Sequence, residues 1–129
     1  MIQIYNTTEE INTTAADLFA AAAEKAIASK GKFTAVLTGG SSPAGIYKLL
    51  ASDAYKDKID WSKVYIFWGD ERWVPLNDDL SNAKMSYSTL LSHVPIPQEN
   101  IFEMYKDGVT PEEYAATYEQ TIRKILGEE

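Results

Sequence analysis

Residues 64–68 read Val-Tyr-Ile-Phe-Trp, apolar or aromatic at every position. A strand with one wet face alternates apolar and polar side chains, and five residues are too few for an amphipathic helix of ordinary length. The uninterrupted run therefore predicts a strand buried on both faces, the situation of a parallel sheet covered by helices on either side. A second compact run, Phe33–Leu37 (Phe-Thr-Ala-Val-Leu), leads directly into Gly39 and Gly40 and predicts a neighbouring strand.

The segments around these runs have helical spacing. Thr7, with Glu10 three residues on, has the form of a capping box, and Gly31 ends the helix it opens. Within it, Ile11, Ala15, Leu18, Phe19, Ala22 and Ala26 form the stripe expected to face the core. Ser42 as N-cap and Pro43 at the first helical position predict a second helix, with Ile46, Leu49 and Leu50 on its apolar side. Ser81 or Asn82 caps a third, which includes Met85, Leu90 and Leu91 and stops before Pro95 and Pro97. Thr110, Pro111 and Glu113 open the last, with Tyr114, Tyr118, Ile122 and Ile125 along one face. Ile2–Tyr5 and Ile101–Tyr105 predict two further short strands. Strand and helix thus alternate, which implies a parallel α/β sheet with right-handed crossovers in one domain, residues 1–129, without repeats or an internal linker.

Charge and composition narrow the function. The net charge of −7 argues against nucleic acid or a membrane surface as partner, since both call for clustered Lys and Arg. It leaves room for a small anionic substrate held by one Arg and a few N–H groups. The chain has no cysteine, which removes disulfides, thiolate metal sites and a cysteine nucleophile and fits a reducing cytoplasm. The opening MIQIYNTTEE lacks the basic and apolar regions of a signal peptide. With a single histidine, His93, and no cysteine, a structural zinc site is excluded. His93 stands near a helix end, where it is expected to meet the last carbonyls rather than act as a base.

In an open parallel sheet, ligands bind beyond the carboxyl ends of the strands. Two motifs fall there. Thr38-Gly39-Gly40-Ser41-Ser42-Pro43 joins glycines, which let the backbone approach a ligand closely, to hydroxyl and N–H donors at a helix N-terminus; that combination suits a phosphate. It is neither a Walker A loop nor the dinucleotide G-x-G-x-x-G. Read more plainly, it is a tight strand-to-helix turn. Gly69-Asp70-Glu71-Arg72-Trp73-Val74-Pro75 places three consecutive charges after a buried strand. Arg72 can grip a phosphate or carboxylate in two-pronged fashion, and Asp70 can accept from sugar hydroxyls or orient another group. The plain alternative is a solvated turn with a local ion pair. A third run, Asn77-Asp78-Asp79-Leu80-Ser81-Asn82, is read as a helix entry in preference to a metal site. Tyr65, Phe67, Trp68 and Trp73 are read as core and pocket wall.

The segments Leu37–Leu50, Trp68–Met85 and Leu90–Phe102, in that order and spacing, resemble the 6-phosphogluconolactonases. The wider superfamily includes glucosamine-6-phosphate deaminases, which carry Asp-Glu-Tyr where this chain has Asp70-Glu71-Arg72; the Arg favours the lactonase. The resemblance implies a three-layer α/β/α Rossmann-like fold, of which this chain corresponds to about the first half. It implies hydrolysis of 6-phosphogluconolactone to 6-phosphogluconate in the oxidative pentose phosphate pathway, without a metal or other cofactor. Gly39, Gly40, Ser41 and Ser42 match the loop at the substrate's phosphate end, Asp70 and Arg72 the charged pair lining the site, and Ser81 and Asn82 a motif that shapes the next loop. Family members continue into a further strand and a Gly-x-Gly-x-Asp-Gly-His segment whose histidine activates water. These 129 residues do not contain it, and His93 does not match it. The chain alone is accordingly expected to be inactive or nearly so. An amino-sugar-phosphate deaminase and a non-catalytic phosphosugar-binding module are the alternatives. The resemblance also implies that Phe33–Leu37 lies centrally in the complete sheet, so that in this chain one edge of it is open to self-association.

Overall fold

In the computed structural model, which describes residues 1–127, six principal elements follow one another. They are α1 (Thr8–Lys30), β1 (Phe33–Leu37), α2 (Ser41–Leu50), β2 (Val64–Trp68), α3 (Asn82–Thr89) and α4 (Pro111–Leu126), with short 3-10 turns between them. β1 and β2 pair in parallel, Phe33 opposite Val64 through Leu37 opposite Trp68. The β1–α2–β2 unit is the parallel arrangement that the two apolar runs predict.

The two faces of this sheet are covered differently. Ala35, Leu37, Ile66 and Trp68 share the main core with Ala16 and Ala23 of α1, Tyr47 and Leu50 of α2, and Ala83 of α3. Phe67, out of step with these, stacks on Phe102 at 4.8 Å between ring centroids and meets Tyr118 of α4 edge-on at 5.7 Å. α4 therefore closes the second face over β2, and the layers are helix, sheet, helix. Val36, beside Phe67 in the register, has no such cover and is 65% exposed.

Both capping signals form. Thr7 Oγ1 accepts from Glu10 N, while the Glu10 carboxylate reaches back to Asn6 N. Thr110 and Glu113 make the full reciprocal box. Gly31, at φ 78°, ends α1 in the left-handed conformation that favours glycine.

Four expectations are corrected. The buried face of α1 is Ala16, Phe19, Ala20 and Ala23, whereas Leu18 is 64% and Ile11 46% exposed. Helical spacing puts Ala15 and Ala22 inward, but the alanines one position over are the ones the core takes; α1 and α2 lie so close that a Cβ on Gly45 of α2 would press on the Asn12 carboxamide. α2 begins at Ser41, with Gly40 as N-cap, and not at Pro43 with Ser42 as cap. Gly40 takes φ 97°, a turn other residues resist, and the helix starts directly after it. Ile2–Tyr5 forms no strand; Ile2 and Ile4 are each 90% exposed, and no strand among the described residues lies beside them. Ile101–Tyr105 is reduced to one bridge, Ile101 to Ile66, with Phe102 N donating to Ile66 O. The next carbonyls, of Phe102 and Glu103, accept from the phenols of Tyr118 and Tyr114 instead of from a strand.

Candidate functional site

The parallel register carries β1 and β2 to the same edge, and their exits stay tied: Gly69 N donates to Leu37 O at 3.0 Å. Beyond that bond lie both sequence motifs. On the β1 side, Tyr47 of α2 reaches back to fix the loop. Its phenol accepts from Thr38 N at 3.0 Å and donates to Thr38 O at 3.1 Å. Burial raises the Tyr47 pKa, and the bond to Thr38 offsets part of the rise. The backbone leading into Gly39 is thus held from behind by a side chain of the helix that follows it.

Gly40, Ser41 and Ser42 are exposed, and no side chain caps the start of α2. Because Gly40 serves as N-cap through its backbone alone, the hydroxyls of Ser41 and Ser42 are not consumed in capping. Pro43 carries no N–H. The first turn therefore offers the N–H groups of Ser41 and Ser42, two hydroxyls and the positive end of a ten-residue helix to whatever lies in front of it.

The Asp70-Glu71-Arg72 run divides its work in a way the sequence does not announce. Glu71, half-buried, accepts from Asn82 N at 2.6 Å, Ala83 N at 2.8 Å and Ser81 Oγ at 3.3 Å, so its carboxylate sits on the N-terminus of α3. Ser81 caps the same helix by accepting from Lys84 N. Asp70 and Arg72 are exposed. The Arg72 N–H donates to Glu71 Oε1, and its guanidinium has no ion-pair partner among the described residues. Asp70 accepts from Asn82 Nδ2, through its carbonyl at 3.2 Å and its carboxylate at 3.4 Å. The Asn82 carboxamide also fills the place a Cβ would take on Gly39. One buried side chain thereby touches the glycine loop and Asp70 together.

The remaining candidates have partners within the fold. Asn77–Asn82 is a helix entry: Asp78 Oδ1 accepts from Leu80 N, and Asp79 pairs with Lys84 at 2.5 Å. The Asp79 carboxyl is held below its ordinary pKa by that lysine. No group of three or more metal-binding side chains occurs among the described residues. His93 is exposed, with Nε2 2.8 Å from Ser88 O at the end of α3, as its position predicts. Trp68 is buried, with its indole donating to Ser86 Oγ. Trp73 packs on Tyr105 and Tyr114 and walls a cavity of about 430 Å³ that opens between the charged loop and α4. Among the described residues no helix is long and apolar enough to cross a membrane.

Glu71, Tyr47 and Ser86 are the residues that sequence reasoning leaves without a role. The first could have been suspected, since a carboxylate between two charged neighbours ahead of a Ser-Asn helix entry has N–H groups to meet. The other two act across the fold with no local signal.

The profile of the family described as glucosamine-6-phosphate isomerases/6-phosphogluconolactonase matches residues 6–129. The protein named 6-phosphogluconolactonase 3, chloroplastic, of Arabidopsis thaliana is 36% identical over 125 residues, 97% of this chain and 38% of that protein. The 6-phosphogluconolactonase of Mycobacterium leprae is 35% identical over 125 residues, 94% of this chain and 50% of that protein. Among solved structures, the 6-phosphogluconolactonase of Thermotoga maritima superposes with a TM-score of 0.80 at 29% identity, covering 91% of this chain and 51% of that one. A monomeric glucosamine-6-phosphate deaminase superposes at 0.81 with 19% identity, a likeness of fold alone. The chain spans half or less of the length of these curated relatives.

Proposed function

Because this chain belongs to the glucosamine-6-phosphate isomerase/6-phosphogluconolactonase family, we propose that it serves hydrolysis of 6-phosphogluconolactone to 6-phosphogluconate, contributing the loops that hold the sugar phosphate. Gly39, Gly40, Ser41 and Ser42 take the phosphate end. Asp70 and Arg72 face the sugar: Arg72 offers a two-pronged cation to an anionic oxygen, and Asp70 accepts from hydroxyls. The observation that carries this reading is that the glycine loop entering α2, whose N-cap uses no side chain, abuts at Gly39 the same Asn82 side chain that donates to Asp70. The names of the relatives give the substrate class, and Arg72, where the resemblance puts a Tyr in the deaminases, favours the lactonase reading.

General-base catalysis typically contributes about 10²–10⁴-fold, and His93, the one histidine, is engaged at Ser88 O. The 129-residue polypeptide is therefore expected to bind 6-phosphogluconate without hydrolysing the lactone beyond its spontaneous rate. The test is an amide-resolved NMR titration with 6-phosphogluconate, beside lactonase and deaminase assays with a no-protein control. Shifts centred on Gly39–Ser42, the Asp70–Arg72 loop and the start of α3 at Asn82 that joins them support the assignment. Shifts centred elsewhere, or a deaminase rate, overturn it. A clear lactonase rate from material of verified mass removes the inactive-chain reading. Action in the cytoplasm, and self-association through the open edge of Phe33–Leu37, belong to the same reading. The Arabidopsis relative's name says chloroplastic, so cell fractionation decides the compartment.

A further inference from the structure

We propose that Asn82 is the positioning residue of this site, its carboxamide coupling the loop that takes the phosphate to the carboxylate beside it. The inference rests on the phosphosugar reading above and assigns the residue that makes its two halves one unit.

Asn82 is the first residue of α3, where an Asn side chain would ordinarily be spent on the helix. Here it is not. Ser81 Oγ caps the helix, and the Glu71 carboxylate takes the Asn82 and Ala83 N–H groups. The backbone of Asn82 is thus bolted to Glu71 while its side chain is released for other use. Although only 9% exposed, that side chain turns toward Asp70, and its Nδ2 faces two acceptors, the main-chain carbonyl and Oδ1. Two acceptors on one side fix which end of the amide carries the hydrogens. Its other contact is Gly39: the three atoms nearest to a Cβ built there all belong to the Asn82 carboxamide. Gly39 is glycine for that reason, since its backbone has no positive φ to accommodate. A shift of the glycine loop on taking a phosphate therefore presses on the group that orients Asp70.

The test uses the full 129-residue chain, with inorganic phosphate as a probe of the loop alone and 6-phosphogluconate as a probe of loop and Asp70 together. Asn82→Ala is expected to leave phosphate affinity within about threefold while weakening 6-phosphogluconate about tenfold, the scale of one hydrogen bond to a charged group. A merely structural role would move both probes alike. Gly39→Ala is expected to lower the melting temperature and lose both ligands. Adding Asn82→Ala should restore the melting temperature and the phosphate affinity but not that for 6-phosphogluconate. Equal loss of both probes in Asn82→Ala, or no recovery in the double variant, overturns the proposal. If the wild-type chain binds neither probe, the phosphosugar reading fails on its own. The melting temperatures of the two singles and the double then decide the contact between Gly39 and Asn82. If Gly39→Ala does not fold, the comparison of probes in Asn82→Ala is sufficient.

Discussion

Glu71 and Arg72 are adjacent, oppositely charged and differently employed. Three donors at the start of α3 converge on the Glu71 carboxylate, whereas the Arg72 side chain makes no ion pair among the described residues. Glu71→Ala should therefore cost about 1–3 kcal/mol of stability, the penalty for leaving partly buried N–H groups unmet. Arg72→Ala should leave urea unfolding nearly unchanged and weaken 6-phosphogluconate binding by about 1.5–3 kcal/mol, the scale of a hydrogen bond to a charged group. Unfolding curves and titrations on both variants test this; an exchange of the two phenotypes would show the loop to be oriented the other way. The sequence made the motif visible, because charges after a buried strand are conspicuous, but it did not tell its three members apart. Glu71 meets donors 10 to 12 residues further on, and Tyr47 fixes Thr38 from nine residues away. Such distances are set by where an element ends in space, which local pattern does not carry.

At the scale of the element, α4 is held to the sheet by a phenol. Tyr118 donates to Phe102 O at 2.8 Å and accepts from Trp68 N at 3.1 Å, so one side chain ties α4 to β2 and to the segment after Ile101. Burial is the largest influence on its pKa, pushing it up to about 12; the Trp68 amide pulls it down in part and Tyr114 adds to the rise. A phenol harder to ionise in the fold than in the unfolded chain contributes stability that is full below its ordinary pKa near 10. That contribution is lost as the pH rises from there through about 12. Tyr118→Phe should be less stable than wild type at neutral pH by about 1–2 kcal/mol. Its stability should fall less steeply between pH 10 and 12. Melting curves across that range check both; parallel wild-type and variant profiles would place the alkaline sensitivity elsewhere. Elements whose signals are local were legible: the caps at Thr7, Ser81 and Thr110, the stop at Gly31, and the two paired strands. Ile2–Tyr5 and Ile101–Tyr105 were not, because a strand exists only by virtue of a neighbour. The propensity of Ile and Tyr for strands cannot supply that neighbour. The face of α1 was misread because the helix carries apolar residues on more than one side, and spacing alone did not choose Ala16, Phe19, Ala20 and Ala23 over Ile11 and Leu18.

At the scale of the whole molecule, one edge of the sheet stands open among the described residues. β2 pairs with β1 on one side and makes the Ile101 bridge besides, whereas the described residues place no strand along the outer edge of β1. Phe33-Thr34-Ala35-Val36-Leu37 contains neither proline nor charge, the usual devices that keep an open edge from pairing with another chain. Val36 is 65% exposed on the face that α4 leaves bare. Leu18 and Leu126 are also exposed. An open edge beside bare apolar surface is a template for a second copy. The 129-residue chain is therefore expected either to associate through β1 or to melt at low temperature. In sedimentation at micromolar concentration the weight-average mass should climb above 14.4 kDa as concentration rises. Val36→Lys puts a charge at the exposed edge position while touching neither the glycine loop nor the Asp70–Arg72 run. It should return the mass toward that of the monomer, and amide shifts of the Phe33–Leu37 strand should lose their dependence on concentration. Association that persists undiminished in Val36→Lys would move the contact to another surface. A wild-type chain that stays monomeric and melts high would show that the β1 edge is not a pairing surface.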